Sequence, residues 1–318
     1  MYNWWVFDYV SYIVLFNWVE LGNGLLVTMA MGGDIMMGCL VGVMVTGALI
    51  VVLFVYVEMW DDKEGGVFVV LLLMFLVCMG VLLLSANLLV FYLGWEGIGM
   101  ISCFLVSFWS ERVRSVKATI KVFAINKVGD CVLLYLMCVL VGQVGSLDFG
   151  FVEGWAVVMV NRGWACGSVG DMIAIGCVLG GGVKSVQCGF HVWLLEAMEA
   201  PLGASALMHS STLVIAGIVL VMKLYSVVVL SWVAVSILLV WGSWTACFAA
   251  FVACFQYELK AILAYSTISS MGFIYMLLGL GAMYEVFLYL VVHAIVKIFL
   301  FLVVGLIMMY CNNMQDIR

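Results

Sequence analysis

Ionisable side chains stand inside several stretches of this sequence that are otherwise apolar. They are Glu96, Lys127, Asp130, Lys184, His209, His293 and Lys297. Carboxylates, amines and imidazoles exchange protons when they lie within hydrogen-bond reach of one another or of water. A charged group at membrane depth is costly and is rare without a functional reason. The set as a whole therefore indicates a charge pathway through a bilayer.

The spacing of these residues places some of them on a common helix face. Lys127 and Asp130 are three residues apart, and His293 and Lys297 are four apart, so each pair can meet on one face. For each group alone a structural explanation stays open, because polar side chains also join helices. Under that explanation Lys127 and Asp130 satisfy each other and His209 bonds to a neighbouring serine.

Residues 180–212 form the least regular part of the chain. They contain Lys184, two histidines, two glutamates, the glycine run 180–182 and Pro201, which is the only proline. Irregular backbone at membrane depth is tolerated only where it packs against protein or lines a cavity. Burial disfavours a charged amine, whereas a nearby carboxylate favours it. A lysine that gains and loses a carboxylate partner is therefore a proton switch.

Composition determines the fold class. The chain is 67% hydrophobic and 9% charged, with a mean hydropathy of +1.28. We predict an all-α polytopic bundle of nine to ten transmembrane helices in a single domain, 1–318. Residues 1–34 are uncertain, since 4–19 could cross or lie in the membrane, and 142–170 are predicted to form a long loop with a short surface helix. The clear spans are 35–57, 67–85, 87–108, 116–141, 171–190, 203–223, 228–253, 259–280 and 284–310.

The sequence offers no motif for a cofactor, a metal or a nucleic acid. Lys184 follows a valine, so the glycine run before it is not a phosphate-binding loop. The eleven cysteines include no CxxC, and the histidines and glutamates do not form HExxH. The net charge of −6 comes without a basic tail, which argues against nucleic acid. We therefore assign no nucleotide, redox cofactor or metal to this chain.

Several segments resemble one protein family in order along the chain. NLLVFYLGWEGIGMISCFLVSFW, KVFAINKVGD, GGGVKSVQCGFHVWLLEAMEAPLGASALMHSST, YELKAILAYSTISSMGF, HAIVKIFLFLVVG and NNMQDIR are similar to segments of NADH dehydrogenase subunit 5. That family is the antiporter-like subunit of respiratory complex I. The similarity runs from about Asn87 to Arg318. It implies an antiporter-like fold with broken helices.

The resemblance also implies roles for the ionisable residues. Glu96 matches the family's essential glutamate and Lys184 its central lysine, a couple whose association and separation drives proton movement. Asp130 matches a family aspartate, and Lys127 stands where arginine is usual. His209 matches the histidine on the next helix. His293 and Lys297 match residues of a later broken helix that passes the proton across the subunit.

The function implied is proton translocation across the mitochondrial inner membrane, driven by quinone reduction elsewhere in complex I. This chain would hold no cofactor, whereas the whole complex carries NADH, FMN, iron–sulfur clusters and ubiquinone. The implied partners are membrane-arm subunits, above all the subunit 4-like neighbour, and lipids such as cardiolipin. Two alternatives stay open: a subunit of a multi-subunit cation/proton antiporter, and a structural scaffold that does not pump.

The sequence departs from the family at two levels. Family prolines are replaced by Val192, Leu195 and Gly203, so the glycine run 180–182 is expected to supply the helix break. The family's last spans, with a further lysine and a lateral helix, would lie beyond Arg318, and the N-terminal spans are reduced. We expect a second polypeptide to supply the C-terminal part.

Overall fold

The computed structural model describes residues 14–21, 25–32, 35–60, 62–161, 168–311 and 315–316. A hairpin of β1 (Val14–Leu21) and β2 (Leu25–Met31) comes first, with Val14 opposite Met31. The sequence predicts that residues 4–19 either cross the membrane or lie at its surface. Residues 14–19 of this segment lie in a strand, as their aromatic and β-branched content favours. Residues 1–13 lie outside the described part.

The described elements after the hairpin are helices, and the predicted fold class is confirmed. The helices are α1 Ile35–Glu58, α2 Gly65–Leu83, α3 Leu88–Val106, α4 Val113–Val144, α5 Phe149–Asn161, α6 Ser168–Lys184, α7 Val192–Glu196, α8 Leu202–Ser210, α9 Leu213–Lys223, α10 Tyr225–Val228, α11 Trp232–Ala253, α12 Leu259–Leu280 and α13 Met283–Tyr310. A single 3₁₀ turn, Ala197–Glu199, joins α7 to α8.

Eight helical segments in the described residues are long and apolar enough to cross a membrane. They are α1 to α4, α8 continued by α9, and α11 to α13. Hydropathy predicted nine clear spans, and the difference lies at 171–190, where α6 stops at Lys184. In the stretch predicted as the loop 142–170, α4 reaches Val144 and α5 occupies Phe149–Asn161. Residues 162–167 of that stretch lie outside the described part.

The α8–α9 segment is the centre of the bundle. Every residue from Leu202 to Met222 is buried, which means that other helices cover it on all sides. α9 lies close to α6, since a Cβ on Gly217 would fall 2.2 Å from the carbonyl oxygen of Gly181. The outer faces of α1, α2, α11 and α13 carry exposed apolar side chains, which suits contact with lipid. The buried ionisable residues therefore lie inside a shell of apolar helices.

The break after α6 differs from the expected one. The glycine run 180–182 is helical, and the chain turns only at residues 185–191. The backbone N–H of Gln187 donates to the carbonyl oxygen of Gly182 at 3.0 Å, as in a Schellman motif. Val186 takes the left-handed position with φ +62°, which glycine usually fills. The run instead serves packing, because a Cβ on Gly182 would lie 2.6 Å from the Trp241 ring.

A second expectation about broken helices was wrong. The family resemblance placed His293 and Lys297 on a broken helix, but α13 is continuous from Met283 to Tyr310. α13 contains neither proline nor an adjacent glycine pair that would interrupt it. Its hydrogen-bond ladder therefore carries both residues on one regular face.

Candidate functional site

Lys184 is a fully buried cation at the end of α6. Its side chain has no exposed surface, and its ammonium donates to the backbone oxygen of Trp95 at 2.7 Å. The ammonium also lies 4.6 Å from the centre of the Trp95 ring, in a cation–π contact. Gly99 leaves room beside it, because a Cβ there would lie 3.4 Å from Lys184 Nζ. Lys184 thus sits in a prepared pocket in which no carboxylate of the described residues bonds to it.

Asp130 on α4 ties the neighbouring groups together. Its carboxylate is 5% exposed and accepts from Trp95 Nε1 and from Lys127 Nζ, each at 3.0 Å. The predicted pairing of Lys127 with Asp130 is therefore observed. Trp95 therefore contacts both Asp130 and Lys184: its indole N–H donates to the Asp130 carboxylate, and its backbone carbonyl accepts from the Lys184 ammonium.

Glu96 does not pair directly with Lys184 as the family resemblance implied. Its carboxylate accepts from Lys127 Nζ at 2.7 Å, and both side chains are over a third exposed. Successive residues on a helix point about 100° apart, so Glu96 faces away from the side on which Trp95 meets Lys184. Lys127 bridges Glu96 and Asp130, and the charges run in the order Glu96, Lys127, Asp130 towards the buried lysine.

A second cluster lies on α8, α12 and α13. Lys297 is 6% exposed and donates to Ser266 Oγ at 2.6 Å. His293, one turn away, is 5% exposed and faces the backbone of His209. The His209 ring is fully buried, and its centre lies 5.8 Å from the centre of the Phe301 ring. Neither ring nitrogen of His209 has a hydrogen-bond partner in the described part of the chain, so the alternative of a serine-bonded histidine is not observed.

Hydroxyl and amide groups lie in two places: at the α6 break and along α12. Gln187 has no exposed surface, accepts from Thr245 Oγ1 at 2.7 Å and donates to the Ser185 carbonyl at 3.2 Å. On α12, Thr267 and Ser270 donate to carbonyls one turn back. Their oxygens keep acceptor capacity for a proton donor, as Ser266 shows by accepting from Lys297.

Sequence reasoning missed Asn126, Trp95 and Gly99. Asn126 is 3% exposed, and both polar atoms of its amide lack a partner among the described residues. A Cβ on Gly99 would lie 4.0 Å from its Nδ2, so Asn126 borders the Lys184 pocket. A signal existed, since Asn126 is four residues before Asp130 on the same face. The positions of Trp95 and Gly99 depend on tertiary contacts and leave no such signal.

The fold and the buried charges define a class of polytopic membrane subunits with an antiporter-like bundle. A family model described as "NADH:quinone oxidoreductase/Mrp antiporter, TM" matches residues 85–318. The chain belongs to this family. The structure of an Mrp complex from Dietzia sp. contains a chain that matches with a TM-score of 0.83 at 25% identity, over 94% of this chain and 32% of that one.

The curated relatives confirm the resemblance to subunit 5. NADH-ubiquinone oxidoreductase chain 5 of Paramecium tetraurelia is 35% identical over 314 residues, which are 96% of this chain and 54% of the relative. The chain 5 protein of Patiria pectinifera is 31% identical over 96% of this chain and 46% of the relative. The chain therefore spans about half the length of these relatives.

Proposed function

We propose that this chain is a proton-translocating membrane-arm subunit of respiratory complex I in the mitochondrial inner membrane. The observation that carries the proposal is Lys184, a cation with no exposed surface and no carboxylate bonded to it among the described residues. A buried amine that has no carboxylate bonded to it releases its proton more readily than one in water. The names of the curated relatives support the complex and the compartment.

The arrangement supports a switch that acts through Lys127. Its ammonium bonds Glu96 at 2.7 Å and Asp130 at 3.0 Å. Movement of Lys127 away from Asp130 leaves that carboxylate to stabilise a charged Lys184, and its return favours proton release from Lys184. The released proton passes towards His209, His293 and Lys297. In this scheme the driving force arises from quinone reduction in other subunits, and this chain binds no NADH, FMN, iron–sulfur cluster or ubiquinone.

The exposure of the Glu96–Lys127 pair supports a partner on that face. The side chain of Glu96 is 39% exposed and that of Lys127 is 36% exposed, so both would face lipid if the chain stood alone. Charges that face hydrocarbon are costly. We propose that a subunit 4-like neighbour covers this face, with lipids such as cardiolipin at its edges. A second polypeptide that supplies the C-terminal spans of the family belongs to the same proposal.

A cation/proton antiporter subunit is the second candidate, and the match to the Mrp complex favours it. A structural scaffold that does not pump is the third candidate. Buried charges such as Lys184 and Lys297 are costly, and a subunit that had lost pumping would have no reason to keep them. The three differ in what the chain assembles with and in what drives it.

The test is native-gel separation of the source membranes, with staining for NADH oxidation and mass spectrometry of the stained band. We expect this chain in the band, together with a peptide similar to the C-terminal part of the family. Its presence only in assemblies that do not oxidise NADH, with sodium-dependent proton flux in vesicles, would overturn the proposal in favour of the antiporter. An NADH-oxidising complex that pumps normally without Lys184 would favour the scaffold.

A further inference from the structure

Glu58 at the end of α1 binds the start of α8 with both carboxylate oxygens. The Leu202 amide donates to Oε1 at 3.0 Å and the Gly203 amide donates to Oε2 at 3.1 Å. These are the first two residues of α8, whose amides have no partner within their own helix. No side chain next to α8 in sequence caps it, since Pro201 precedes it. Glu58 therefore caps this helix from a distant part of the chain.

Gly203 makes this contact possible in two ways. A Cβ at this position would lie 2.1 Å from Val55 Cγ2, so only glycine lets α8 approach α1 this closely. Gly203 also stands where the family motif has proline, which has no amide hydrogen to donate to Glu58. Glu58 and Gly203 therefore form a matched pair of this chain.

Lys260 holds the other side of Pro201. Its ammonium donates to the carbonyl oxygens of Met198 and Ala200 at 3.3 and 3.5 Å, and it lies within electrostatic range of Glu58. The turn between α7 and α8 is thus fixed by a cation at its carbonyls and by an anion at its amides. Glu58 lies at the end of α1 and Lys260 at the start of α12, and Lys260 is also within electrostatic range of His209.

His209 lies at the other end of the helix that Glu58 caps. His209 is in the last turn of α8, and its ring nitrogens make no hydrogen bond to the described residues. The ring is therefore placed by α8 and by packing such as that against Phe301, and not by hydrogen bonds of its nitrogens. We propose that Glu58 is a positioning residue for proton transfer, which holds α8 so that His209 stays against His293 and Lys297. This inference rests on the proposed function.

The test measures proton pumping per assembled complex, by fluorescence quenching during NADH oxidation, in membranes carrying variant chains. Glu58→Gln keeps the size but places an amide group against one of the two amide donors. We expect a fall on the order of tenfold, in line with the sensitivity of catalysis to displacements near 1 Å. Glu64→Gln is the matched control, because Glu64 is exposed and its side chain caps nothing; its pumping should equal that of the parent.

The decisive comparison adds His209→Gln. If Glu58 acts through His209, Glu58→Gln causes no further loss in the His209→Gln background. Independent, multiplying losses overturn the inference, as does a loss that only follows a lower amount of complex. If Glu58→Gln prevents assembly, Glu58→Asp, which retains the charge and shortens the reach, is scored by the same comparison.

Normal pumping by Glu58→Gln beside a defective His209→Gln refutes the positioning role alone. Normal pumping by His209→Gln refutes the role of His209 in the proposed function and the positioning role with it.

Discussion

Replacement of Lys184 by methionine separates its role in proton transfer from its role in packing. Methionine keeps an unbranched apolar stem of nearly the same length and removes the ammonium, together with its hydrogen bond to Trp95 and its cation–π contact. Lys184→Ala should also abolish pumping, but it leaves a cavity, and truncations in a core cost about 2–5 kcal/mol. We therefore expect Lys184→Met to assemble and to oxidise NADH without the share of pumping that this chain contributes.

The magnitude follows from the contacts of Lys184. Removal of a buried charge at membrane depth gains about 3 kcal/mol. Loss of the bond to the Trp95 carbonyl costs about 2 kcal/mol, and loss of the cation–π contact costs about 1 kcal/mol. The carbonyl stays satisfied, since Trp95 lies inside α3 and keeps its helical partner. These contributions nearly cancel, so the stability of the complex should change by less than about 2 kcal/mol.

The assay compares the amount of complex on native gels, its thermal inactivation and the ratio of protons pumped to NADH oxidised. Lys117→Met is the control, because Lys117 is an exposed lysine of α4. An unchanged ratio in Lys184→Met would remove Lys184 from the mechanism. Failure of the variant to assemble would show that the charge serves the structure and would contradict the near-cancellation of these energies.

Two further predictions concern packing and the second cluster. Gly217→Ala places a Cβ 2.2 Å from the Gly181 carbonyl oxygen and should destabilise the α6–α9 contact by about 1–3 kcal/mol, which is measured as thermal inactivation at a lower temperature. Gly142→Ala is the control, because no atom lies within 4 Å of the added Cβ, and it should cause no loss of stability. Equal effects of the two substitutions would contradict the close approach of α6 and α9. Ser266→Ala removes the acceptor 2.6 Å from Lys297 Nζ and should reduce the number of protons pumped per NADH. Ser266→Thr keeps a hydroxyl and should pump like the parent chain. Equal pumping in the two variants would show that the hydroxyl has no role in proton transfer.

The sequence predicted those parts of the site that depend on a single helix. The pairing of Lys127 with Asp130 follows from helical spacing alone, as does the common face of His293 and Lys297. The partner of Glu96 could not be predicted in this way, because it depends on the rotation of α3 against α4. The family resemblance supplied a direct couple with Lys184, whereas the packing places Lys127 beside the carboxylate.

The contact of Glu58 with α8 and the role of the glycine run could not be predicted from the sequence. Glu58 and Gly203 are 145 residues apart, and no periodicity connects residues so distant in the chain. The conformational freedom of glycine predicts a helix break at the glycine run 180–182. The run is instead a place where neighbouring residues need space, such as the Trp241 ring beside Gly182. Sequence alone does not distinguish these two uses of glycine.

The left-handed Val186 has a consequence for the biogenesis of the protein. A β-branched residue in that conformation stores about 1–3 kcal/mol, so the turn needs bonds from elsewhere. Part of this support comes from α11, where Trp241 Nε1 donates to the Cys188 carbonyl at 2.9 Å and Thr245 donates to Gln187. α11 leaves the ribosome after α6 and α7. We therefore expect the turn that ends α6 at Lys184 to reach its final form only when α11 has inserted beside it.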